Sequence, residues 1–133
     1  MENDRRMADP VAVTIKPLGR SGKDLACSIT GGSVDGGILQ LSRGNAHKLT
    51  FHLVPGKVPG IEFAGDDCFC SSLTDCPGSG DTTDQFPAGC AQTPNGNTLI
   101  VDARPGTEDV VHYAILFTDG TDTFEWDPII VNG

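Results

Sequence analysis

The sequence predicts an all-β domain, a single sandwich of immunoglobulin or cupredoxin type, on three observations. Apolar residues recur at every second position in one run after another, as they do in strands with one buried face. No window holds apolar residues at i, i+3, i+4 and i+7 for two turns. With 17 Gly and 9 Pro among 133 residues, little room is left for a long helix.

Residues 1–10 are polar and charged and end in Asp9-Pro10, which reads as a leader ahead of a sandwich over 11–133. Val11, Val13 and Ile15 then alternate with Ala12, Thr14 and Lys16, and Leu25, Cys27 and Ile29 with Ala26, Ser28 and Thr30. A short strand is expected at 38–41, followed by a turn at Arg43-Gly44-Asn45. Beyond that turn Leu49, Phe51 and Leu53 point inward against Lys48, Thr50 and His52. A brief strand is expected at 61–63. Asn95-Gly96-Asn97 turns into Leu99, Val101 and Ala103, and Arg104-Pro105-Gly106-Thr107 breaks the chain before a run over 110–117. FTDGTDTFEW is the clearest hairpin signal, with Asp119-Gly120 in the turn and Phe124 and Trp126 on one face of the return strand. Pro128 ends that strand, and 129–131 closes the chain. This makes about seven or eight short strands, the number a sandwich needs.

Length and a hydrophobic content of 38% fit one domain with one core. Charge is segregated along the chain. Residues 1–60 hold eight Lys/Arg and five Asp/Glu, a net of +3, whereas residues 61–133 hold one Arg and thirteen Asp/Glu, a net of -12. An acidic half of this kind repels phosphate backbones and anionic lipid, so nucleic acid and membrane surfaces are poor partners. A basic protein surface or a divalent cation suits it better. No stretch approaches the roughly 18 apolar residues of a membrane span. The first residues show no apolar h-region and no cleavage site, which makes the cytoplasm the default compartment, with reduced thiols. Disulfides would point to an extracytoplasmic one.

The order of an aromatic strand followed by Asp127-Pro128-Ile129-Ile130-Val131-Asn132 resembles the ending of small bacterial proteins grouped as the DP-EP family. Trp126, Asp127, Pro128, Val131 and Asn132 are the matching residues, while no Glu-Pro dipeptide occurs in this chain. The resemblance implies a small β-sandwich and brings no catalytic residues with it.

Residues 64–97 stand apart as an acidic, cysteine-rich insertion without a period of either kind. Loops beyond about 15 residues are uncommon in compact domains unless functional, disordered or tied down. Cys68, Cys70, Cys76 and Cys90, spaced C-x-C-x5-C-x13-C, are the means to tie this one down. Two disulfides would do so, with Cys68–Cys70 the strained pairing to discount. A structural zinc site made by the same four cysteines is the alternative, since four thiolates fill a tetrahedron and leave no open position. Cys27 shares the inward register of Leu25 and Ile29 and is expected to act as a small hydrophobe, the odd one out among five cysteines. Asp66, Asp67, Asp75, Asp81 and Asp84 form an acidic set for recognition of a basic partner or a divalent cation, without the ligand order of an EF-hand.

Nothing nominates catalysis. There is no nucleophile elbow, P-loop or dinucleotide fingerprint, and blue copper lacks its Cys-His-Met cluster. His52 and His112 are expected at the surface, and Tyr113, Phe124 and Trp126 in the core. The expected function is therefore a binding or interaction module that works without catalysis. Self-association is a further option, through an exposed sheet edge such as the N-terminal strand.

Overall fold

The computed structural model describes residues 9–65, 68–72, 85–86, 96–106 and 108–133. The strands in chain order are β1 (Asp9–Ser21), β2 (Asp24–Thr30), β3 (Val34–Asp35), β4 (Ile38–Leu41), β5 (His47–Leu53), β6 (Glu62–Phe63), β7 (Phe69–Ser72), β8 (Thr98–Ala103), β9 (Val110–Thr118), β10 (Thr123–Trp126) and β11 (Ile129–Asn132). They form a β-sandwich. One layer runs β2-β1-β5-β8. The other runs β3-β4-β11-β9, with β10 also on β9 and with β6 and β7 paired to it as well. Among the described residues the layers share one strand-to-strand junction, the parallel pair Glu125↔Asp24 of β10 and β2.

The alternation in the sequence sets these faces. In β1, Val11, Val13 and Ile15 are buried between exposed Ala12 and Lys16, and the parallel register Val11↔Leu49, Val13↔Phe51, Ile15↔Leu53 aligns their buried face with that of β5. β8 continues the row through Leu49↔Val101 and Phe51↔Leu99. The opposing layer supplies Leu39, Leu41, Tyr113, Ile115, Phe117, Phe124 and Ile130. Burial of each such side chain contributes about 1.5–3 kcal/mol, so the shared core is what holds the layers together.

Three features depart from the expectations. Asp9 and Pro10, read as leader, open β1 and pair with His47 and Lys48. β1 is not a simple edge strand: it pairs with β5 over Asp9–Ile15 and with β2 over Thr14–Ser21, so it joins two neighbours. The insertion is not loop throughout, because β7 lies within it, antiparallel to β9 from Phe69↔Ile115 to Ser72↔His112.

The expected hairpin forms between β9 and β10, with Phe124↔Phe117 and Trp126↔Ile115. Asp119 organises its turn by accepting hydrogen bonds at Oδ1 from the Thr121 and Asp122 amides, at 2.9 and 2.8 Å.

Candidate functional site

The cysteine segment is built into the sandwich at two places. At the first, β9 pairs along β7, and the Leu116 amide donates to the Cys68 carbonyl at 2.8 Å. Strand alternation sends Phe69 into the core, where it is fully buried, 5.8 Å from the Tyr113 ring and 6.3 Å from Phe51. At the second, Phe86 packs on Phe69 with ring centroids 5.1 Å apart. Beside it the buried Gln85 and Asn132 exchange reciprocal amide hydrogen bonds of 3.1 and 2.9 Å. Asn132 also donates to the Glu108 carbonyl at 2.8 Å, and Gln85 accepts from the Arg104 amide at 2.9 Å. A half-satisfied amide in such a place would cost more than the pair contributes, so reciprocity is what makes its burial tolerable.

Gly106 is packed against this amide, since a Cβ there would fall 2.5 Å from the Asn132 side chain. Arg43 completes the end of the sandwich by pairing with Asp109 and donating to the Asn132 carbonyl at 3.0 Å. His47, in the inward register of β5, is buried and contacts the Ser42 carbonyl through Nε2 at 3.2 Å. Its position follows from extending the Leu49, Phe51, Leu53 alternation one step back. His52 is exposed, as expected, and His112 is half-buried.

Of the cysteines expected to tie down the insertion, Cys68 and Cys70 are buried. Cys68 belongs to the inter-sheet core, whereas Cys70 packs on Ala114 outside it. Cys76 and Cys90 lie outside the described residues, as do Asp66, Asp67, Asp75, Asp81 and Asp84. Among the described residues no three His, Cys, Asp or Glu side chains gather as a metal site.

Cys27 is half-buried against the core, and burial pushes its thiol pKa up to about 12, which favours the protonated form. Burial, and after it the proximity of Cys27, also raise the pKa of the Tyr113 hydroxyl, which has no hydrogen-bond partner among the described residues. Trp126 stands edge-on to Tyr113 at 5.8 Å and Phe124 is buried, so the aromatic group is core rather than an exposed stacking platform.

Two clefts open on the surface. One, of about 360 Å³, is lined by Pro17, Leu53, Val58, Pro59, Ile61 and neighbouring backbone. The other, of about 550 Å³, lies between the β1–β2 turn and the β9–β10 hairpin, with Lys23, Asp122 and Glu125 on its walls. At that end Arg20 reaches across from β1 to Asp119 at 3.0 Å and lies over the Phe124 ring. The two turn amides, and after them Arg20, hold the Asp119 carboxyl below its ordinary range.

No model of a known protein family matches the chain, and no curated protein matches it.

Proposed function

We propose that the chain is a non-catalytic binding or interaction module whose acidic cysteine-bearing segment is its recognition element. The observation that carries this reading is the double anchorage: β7 and Gln85-Phe86 are both set into the sandwich, with the acidic stretch 73–84 between them. A segment held at both ends presents its charges to a partner with less ordering cost than a free loop. With thirteen acids against one Arg beyond residue 60, the partner chemistry is a basic protein surface, with a divalent cation as the smaller alternative. Membership of the DP-EP family belongs to the same proposal and rests on Trp126, Asp127, Pro128, Val131 and Asn132.

Cys70 stands as a thiol, so a staple to Cys76 or Cys90 would belong to an oxidised form of the protein. An intact mass short by two hydrogens per bridge after oxidation tests the staple. Recognition is tested by calorimetric titration with a lysine-rich peptide at low and physiological salt, for the chain and for a variant with Asp66, Asp67, Asp75, Asp81 and Asp84 all changed to Asn. Salt-sensitive binding lost in the variant supports the reading. Binding that is equal in both, or absent from both, overturns the assignment to this segment.

A further inference from the structure

The described residues join the two layers at one strand junction, and that junction is unusual in its charges. Glu125 and Asp24 are direct partners across it, and the Glu125 amide donates to the Lys23 carbonyl at 2.8 Å. Asp127 follows two residues on, and Asp122 of the hairpin faces the same cleft. Lys23 is the cation on the walls of that cleft, because Arg20 is engaged with Asp119 and Phe124. Trp126, the residue after Glu125 in β10, is packed against the core edge-on to Tyr113.

We propose that the β2–β10 junction is a pH-responsive seam, tight while Glu125 is protonated and loosened as Glu125 ionises against Asp24 and Asp127, so that acidification strengthens the join between the two layers. Opposed like charges on paired strands destabilise the pairing, and one hydrogen-bonded pair gives this junction little in reserve. The Glu125 carboxyl is raised above its ordinary range, first by burial and then by Asp127 and Asp24, with Lys23 acting in the opposite sense. A raised folded-state pKa means that the folded chain holds the proton more tightly than the unfolded one. The junction therefore gains strength as pH falls through the raised value and loses it above.

Amide hydrogen exchange at residue 125 tests this in the wild type and in Glu125→Gln, each corrected for its intrinsic rate. At about pH 7.5 the Gln variant is expected to show roughly two- to fivefold greater protection. The ratio should fall toward one as pH is lowered through the raised value, where Glu125 of the wild type takes up its own proton. A protection ratio near one throughout, or one that does not change with pH, overturns the proposal. Asp24→Asn supplies the second check, since it should reduce the pH dependence while leaving Glu125 in place.

Discussion

Truncation of Phe69 to alanine should destabilise the protein as a core deletion does, although Phe69 sits in a segment whose sequence reads as loop. Its ring is fully buried and meets Phe86 at 5.1 Å, Tyr113 at 5.8 Å and Phe51 at 6.3 Å. Deletion of a buried Phe costs about 3–5 kcal/mol, as lost transfer energy plus the cavity left behind. For a chain of this length that corresponds to a fall in melting temperature of roughly 10–20 °C. Urea unfolding followed by the fluorescence of Trp126, the one tryptophan, reads the change directly. Leu18→Ala, at an exposed position on the bulge in β1, serves as the control and should stay within about 0.5 kcal/mol of wild type. A loss below about 1 kcal/mol for Phe69→Ala would refute the placement of β7 in the core.

Other substitutions probe the remaining contacts. Asn132→Ala strands a buried Gln85 amide and should cost about 1–3 kcal/mol, and a double-mutant cycle with Gln85→Ala should show strong coupling in urea unfolding. At Gly56 a Cβ would sit 2.0 Å from the Pro17 carbonyl oxygen, so Gly56→Ala should lower stability by about 1–3 kcal/mol in the same assay. Asp119 has a depressed folded-state pKa, so its contribution is present above the ordinary carboxylate value and is lost as pH falls through the depressed one. The gap in urea midpoint between wild type and Asp119→Ala should therefore be widest near neutrality and close in acid.

The sequence makes the fold class legible because β1, β5 and β8 alternate strictly, with Val11, Val13 and Ile15, Leu49, Phe51 and Leu53, and Leu99, Val101 and Ala103 all buried. The hairpin at Asp119-Gly120 is legible from turn chemistry alone. What escapes is set by partners distant in sequence. Periodicity shows that β1 has a buried face, but its placement between β2 and β5 is a matter of topology. β7 escapes because Phe-Cys-Ser-Ser offers a single large apolar residue, too little for a period, and the strand forms only because β9 provides its backbone partners. The Gln85–Asn132 pair spans 47 residues, and neither amide announces the other in sequence. The acids of the insertion, read in sequence, suggest a projecting element, whereas the buried Cys68, Phe69 and Cys70 show that its first part is structural.

The most direct test of the anchored segment is native-state hydrogen exchange at the amides of residues 69–72. If β7 is part of the sandwich, those of its amides that face β9 should be protected to nearly the level of β9 itself, and they should lose protection together with it on adding urea. Exchange at the rate of an unstructured peptide, while β9 stays protected, would contradict the account and return the whole insertion to the surface.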